Sequence, residues 1–224
     1  ITLANAANDF VGLVNASGGA TTITDVNALA LGLVRSGDLT VTSSGDLSFG
    51  DVAVAGALVA ASNGGAITQA QALSVSGTSQ IDAGAGNVTL GNLGNDFAGA
   101  VTITGNNVIL RDTDQLDLSL TAAGDADVAT TGGLAIAGSA ANLITESGSG
   151  TSFGATTTTG TLTTTAIVGG ITQTGALNVG GDASFTASDV VTLSDPANVF
   201  GAAVAASGTA VSLADNSDLL LADV

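Results

Sequence analysis

Cysteine, histidine, lysine, methionine, tryptophan and tyrosine are all absent from this 224-residue chain, and proline occurs once. Without cysteine there is no disulfide framework, no thiolate metal site and no cysteine nucleophile. Without histidine the commonest general base and the commonest metal ligand are gone. The only cations are Arg35 and Arg111 against 19 acidic residues, a formal net charge of −17. Two arginines cannot neutralise a row of phosphates, so no nucleic-acid surface is expected. The same charge opposes an anionic membrane, and no apolar run reaches the length of about 18 residues that a spanning helix needs, so no membrane insertion is expected. No basic segment followed by an apolar core opens the chain, as a signal peptide would. The missing methionine predicts that Ile1 is not a translation start and that the chain is processed or part of a longer one.

What remains is a narrow palette rich in small and β-branched residues. Hydrophobic residues make up 45% and the mean hydropathy is +0.53, which argues against disorder despite the charge. Glycine contributes 32 residues and threonine 30, while all six aromatics are phenylalanine. Such a composition predicts a thin, regular interior.

Apolar residues alternate along much of the chain, as in Leu39/Val41, Leu47/Phe49, Val88/Leu90, Leu134/Ile136 and Leu177/Val179. A period of two means β-strands with one buried face. Glycine, asparagine, aspartate and serine separate the pairs, so the strands are short and frequent.

The chain also repeats itself. ITLANAANDFVG at 1–12 matches VTLGNLGNDFAG at 88–99 and VTLSDPANVFGA at 191–202. Downstream, Ile23, Asp25, Leu29 and Leu31 correspond to Leu110, Asp112, Leu116 and Leu118, and again to Leu213, Asp215, Leu219 and Leu221. GAITQAQALSV at 65–75 matches GGITQTGALNV at 169–179, and Ser48-Phe49-Gly50 matches Ser152-Phe153-Gly154. The offset is 87 residues before about position 43 and 104 after it, and one block of 17 residues, about Thr130 to Glu146, accounts for the change. That block carries its own apolar alternation, so it reads as one whole added turn of a stacked structure. Solenoids tolerate such additions because each repeat touches only its neighbours.

These features predict an all-β fold: a parallel β-helix (β-solenoid) of about eleven turns, each of roughly 20 residues. Residues 1–224 read as a single solenoid segment with internal units 1–87, 88–190 and a partial 191–224. Hairpin dipeptides do not recur as they would in an up-and-down barrel, and immunoglobulin-like modules would bring a buried tryptophan or a tyrosine corner.

The stretches NAANDFVGLVNASGGATTITDVNALALG (5–32) and NLGNDFAGAVTITGNNVILRDTDQLDLS (92–119) resemble repeats of filamentous-haemagglutinin-like exoproteins. These are giant bacterial surface or secreted adhesins, many exported by two-partner secretion. The shared core is apolar-Thr-Leu, then Asn-x-Phe-x-Gly, then apolar-x-(Ile/Leu)-x-Asp-x-x-x-Leu-x-Leu. The third copy departs from it, with Pro196 in the turn and Val199 in place of aspartate. The asparagine-proline motif of that family's secretion domain is absent. The resemblance implies a right-handed coil and a shaft segment, extracellular or on the bacterial cell surface, serving adhesion, filament or biofilm formation.

Candidate chemistry is sparse. Asp112, Asp114 and Asp117, with Asp125 and Asp127 nearby and Asp215 and Asp218 as a partial repeat, offer oxygen ligands for calcium; the alternative is turns in which aspartate bonds nearby backbone. Paired carboxylates could cleave sugars, but the aromatic platforms and cationic base that such sites use are missing. No catalytic residue, cofactor site or metal site is assigned, and the chain is not expected to be an enzyme. The run Thr156–Thr165 suggests an ice-binding face, yet Thr156, Thr158, Thr163 and Thr164 align with Val52, Val54, Val59 and Ala60, which makes them ordinary strand positions. Phe10, Phe97 and Phe200 recur at one motif position and are expected to plug the interior. Gly12 and Gly99 suit tight corners. Arg35 and Arg111 are expected to pair with adjacent acids such as Asp38 and Asp112.

The reading is therefore a structural shaft. Neither end carries an obvious polar cap, so the expected partners are further repeats of the same chain or copies of itself, stacked end to end. The alternative is a glycan- or calcium-binding solenoid module whose partner is a host or matrix glycan.

Overall fold

The computed structural model describes residues 1–222. They contain parallel β-strands and no helix, and they wind into a β-solenoid of about eleven turns. The chain divides into two compact units, Ile1–Asp114 and Gln115–Val224.

In the first unit, one ladder stacks Thr2–Leu3, Thr21–Asp25, Leu39–Ser43, Leu58–Ala61, Ser79–Asp82 and Val101–Gly105. On the opposite side, Leu13–Gly18 lies on the long strand Leu29–Ser36. That long strand then divides. Its first half carries Leu47–Phe49, followed by Ile67–Gln69, Val88–Leu90 and Val108–Asp112. Its second half carries Asp51–Val54, followed by Leu73–Val75 and Asp96–Phe97. A two-sided turn thus becomes a three-sided one, and the break falls at Ser48-Phe49-Gly50, where a Cβ on Gly50 would press on the Leu31 and Gly32 carbonyls.

The second unit repeats the device. Leu116–Ala122, Leu134–Ala140 and Thr151–Thr158 form one ladder, and Ala126–Thr130, Leu143–Ser147, Leu162–Ala166, Ala183–Ala187 and Val204–Ser207 the other. Thr151–Thr158 then divides. Ile171–Gln173 stacks on its first half and Leu177–Val179 on its second, with the break at Ser152-Phe153-Gly154. The block added at about 130–146 is one turn laid in register, with Leu116 opposite Leu134, Ala126 opposite Leu143 and Leu134 opposite Thr151.

Period-two alternation becomes period-two burial. In Leu116–Ala122 every second residue is buried, and the same holds in Leu39–Ser43 and Leu143–Ser147. Parallel stacking satisfies the backbone along the ladders. Asn63-Gly64, the one Asn-Gly pair, has positive φ at both residues (49° and 103°). It turns the corner between strands of different ladders, Leu58–Ala61 and Ile67–Gln69, and so makes no hairpin. Gly12 adopts φ 100°, whereas Gly99 is required for close approach, since a Cβ there would collide with the Gly77 carbonyl.

Candidate functional site

The most elaborate chemistry lies inside the turns. Asn95 is fully buried, in the turn between Val88–Leu90 and Asp96–Phe97. Its Nδ2 donates to the Leu90 carbonyl of its own turn (3.0 Å) and to the Arg111 carbonyl of the next (3.1 Å). A third contact reaches Gln69 Oε1 of the preceding turn (3.0 Å). Its Oδ1 accepts from the Leu73 amide (2.9 Å) and from Gln69 Nε2 (2.7 Å). Asn95 and Gln69 therefore form a reciprocal amide pair that fastens three successive turns.

The second unit holds the same arrangement. Asn198 Nδ2 donates to the Leu193 and Ala214 carbonyls (3.1 Å each) and to Gln173 Oε1 (2.9 Å). Its Oδ1 accepts from Leu177 N (2.9 Å) and Gln173 Nε2 (2.8 Å). The sequence carried this signal as two recurrences, Ile-Thr-Gln and Asn-x-Phe, but 25–26 residues separate the partners. We refer to this pair as the Gln–Asn lock.

Each lock is followed by an aspartate. Phe97 N donates to Asp112 Oδ1 (2.9 Å), Phe200 N to Asp215 Oδ1 (3.2 Å) and Phe10 N to Asp25 Oδ2 (3.2 Å). Asp112 is buried, and its Oδ2 has no hydrogen-bond partner. Burial pushes its pKa up to about 6; the Phe97 amide opposes the rise, and the neighbouring Asp114 carboxylate adds to it. Asp25 is better served, because Asn27 N donates to its other oxygen (3.1 Å). Ser217 does the same for Asp215 (3.0 Å).

The remaining acids are distributed. Asp114, Asp117, Asp125 and Asp218 are exposed, and Asp127 is half-buried. Among the described residues no three Asp or Glu side chains stand together as a metal site. Many corner acids and amides have one of two structural jobs. Some bond the backbone two residues on, as Asp82 does with Gly84 N and Asp195 with Ala197 N. Others rivet one turn to the next. Asp38 accepts from Ala57 N, Asp46 from Ala66 N, Asn142 from Thr161 N and Asp182 from Ala203 N, at 2.8–3.1 Å.

Arg35 does not pair with Asp38, which is committed to Ala57. Its Nη2 meets both carboxylate oxygens of Asp51, one turn away (2.8 and 2.9 Å), and its Nη1 donates to the Asp51 carbonyl. Both side chains are about half exposed, so the pair contributes little stability. Arg111 Nη1 donates to the Leu110 carbonyl.

Thr156, Thr158 and Thr164 are buried and Thr163 is exposed, following the pattern of Val52, Val54, Ala60 and Val59. Thr156 and Thr158 bond the Gly154 and Gly160 carbonyls (3.2 Å each), and Thr145 donates to Thr164 (3.0 Å). Thr156, Thr158 and Thr164 are therefore interior strand positions. Phe97 and Phe200 are buried as expected, while Phe10 is half exposed. Phe153, Phe185 and Phe200 stack edge-to-face at 6.5 and 6.2 Å, which motif position alone did not signal.

The hollows are poor sites. One, about 320 Å³, lies over small residues from Gln115 to Thr172, and another, about 500 Å³, over Ser36, Ala53 and Ser74. A third, about 420 Å³, is apolar and lined by Val204, Val211, Leu213 and Leu221 of the last turn.

Residues 36–104 and 138–207 each match a family described as repeats of unknown function (DUF5649), together more than half of the chain. No curated protein and no solved structure matches it.

Proposed function

We propose a purely structural role for this chain, which belongs to the DUF5649 family of repeats: it is a stiff spacer in the shaft of a bacterial extracellular or cell-surface adhesin or filament protein. The observation that carries this reading is where the polar residues go. The buried amides, a Thr145–Thr164 hydroxyl pair and many of the corner acids are spent on fastening one turn to the next. Side chains committed in this way hold a regular stack and leave few free to bind or react. The charge of −17 adds solubility and keeps neighbouring shafts apart.

Two experiments test this. Antibody raised against the chain should label intact producing cells; a signal only after lysis contradicts the location. In the parent protein, deletion of the 17-residue turn at 130–146 should leave the fold and surface display intact while shortening the projection seen by electron microscopy. Loss of a specific binding or catalytic activity on that deletion, with the fold retained, would contradict the spacer role.

A further inference from the structure

The motif copies are not equally covered. Asn8 keeps the two acceptors that correspond to those of Asn95 in its own and the following turn, the Leu3 carbonyl (2.9 Å) and the Thr24 carbonyl (3.2 Å). The contacts that Asn95 and Asn198 make to a preceding turn have no counterpart among the described residues. Among the described residues no glutamine faces Asn8, and no amide donates to its Oδ1. The apolar residues around it tell the same story. Leu3 is 38% exposed where Leu90 and Leu193 are fully buried, and Phe10 is half exposed where Phe97 and Phe200 are buried.

We propose that the Thr2–Leu3 edge is a receptor for the Ile-Thr-Gln strand of a further repeat of this family, whose glutamine completes the lock on Asn8. The chain itself shows the occupant twice. Val88 and Thr89 pair with Ile67 and Thr68, and Val191 and Thr192 pair with Ile171 and Thr172. Ile1 and Thr2 are the equivalents of Val88 and Thr89, and Thr2 already pairs onward with Thr22 as Thr89 does with Ile109. A second folded copy of this chain cannot supply the strand. Its Ile67–Gln69 lies between Leu47–Phe49 and Val88–Leu90, and its Ile171–Gln173 between Thr151–Thr158 and Val191–Leu193. The occupant is therefore a turn with its own free Ile-Thr-Gln edge, running into Ile1 as residues 67–87 run into Val88. The inference rests on the spacer reading only in taking further repeats to be the natural neighbours. Its test is made on purified protein, so it can fail while cell-surface labelling succeeds.

The test joins a second copy of residues 36–87 ahead of Ile1, so that the copied Asn87 precedes Ile1 as it precedes Val88. Amide hydrogen exchange is then followed at residues 1–10. Protection there should rise by at least about tenfold. It should fall most of the way back when the copied turn carries Gln69→Ala. An unfused second copy in excess should give no protection. Circular dichroism on the fusion checks that the added strands form. Unchanged exchange at 1–10, added strands that stay unfolded, equal protection by the Gln69→Ala copy, or protection by the unfused chain would each overturn the proposal.

Discussion

Asn8 and Asn95 occupy the same place in two copies of one motif, yet one is held from a single side and the other from both. The Asn95 side chain receives or makes five hydrogen bonds to three turns, that of Asn8 two. The motif residues are the same, so the difference lies in the neighbouring turn. A solenoid turn is completed by its neighbours, and an interior position and an edge position differ in energy even when the sequence does not. The comparison also explains why polar residues are tolerated in so thin a core. A buried amide is costly only when unpaired, and the Gln–Asn lock leaves no group of the pair orphaned.

The strongest way to break the comparison is to delete the amide at both places. Asn95→Ala strands the Leu73 amide, two carbonyls and the Gln69 head group, so it should cost on the order of 3–5 kcal/mol. Asn8→Ala should cost about 1 kcal/mol, because its surroundings already reach water. Equal losses in denaturant titrations would deny that the neighbouring turn matters.

Next in size is Gln69→Ala. It removes one half of the pair but leaves Asn95 its two carbonyl acceptors and the Leu73 amide. A loss of about 2 kcal/mol is expected, and exchange at the Leu73 amide should quicken more than exchange at Leu177, which the second lock protects.

The aspartates sharpen the comparison through pH. Asp112 has one buried oxygen without a partner, while both oxygens of Asp25 and Asp215 are bonded. Because burial raises the pKa of Asp112 to about 6 from 3.8, the folded state holds its proton more tightly than the unfolded state. Its stabilising effect is present at low pH and is lost as pH rises through about 6. Asp112→Asn keeps an acceptor for the Phe97 amide and removes the charge. The variant should therefore gain about 1–2 kcal/mol on wild type between pH 4 and 7.5, read from urea midpoints at each pH. A constant difference across that range would contradict the assignment.

The smallest effect concerns Thr21, a buried residue whose hydroxyl has no partner. The equivalent positions hold Val108 and Val211. Thr21→Val should stabilise by about 1 kcal/mol. Thr164→Val should destabilise by a similar amount, because it orphans Thr145. Melting temperatures moving in opposite directions would confirm that a hydroxyl stabilises this core only where it is paired.

Much of the fold was legible in the sequence because both of its rules are local or strictly periodic. Alternation marked strands such as Leu39–Ser43, and the change of offset marked the turn at 130–146, whose register the structure reproduces. The Thr156–Thr165 run was placed correctly by its alignment with valines. Contacts between turns were harder to read, since turn length varies and no fixed spacing marks a partner. Arg35 was expected beside Asp38 but reaches Asp51, one turn on. The Gln–Asn lock was hidden for the same reason. Both halves recur, but nothing in a single turn says that a glutamine after Ile-Thr faces an asparagine in the next. The division of Leu29–Ser36 and Thr151–Thr158 at Ser-Phe-Gly was likewise visible as a repeat but not as a bend.

The most direct test of the lock is a double-mutant cycle on Gln69→Ala and Asn95→Ala, with unfolding free energies measured for the four proteins. If each side chain holds the other across the turn boundary, the double variant should be less destabilised than the sum of the single ones, with a coupling of about 1–3 kcal/mol. A coupling of zero within error would show that the two amides act independently, and the account of turns fastened by a shared amide pair would be wrong.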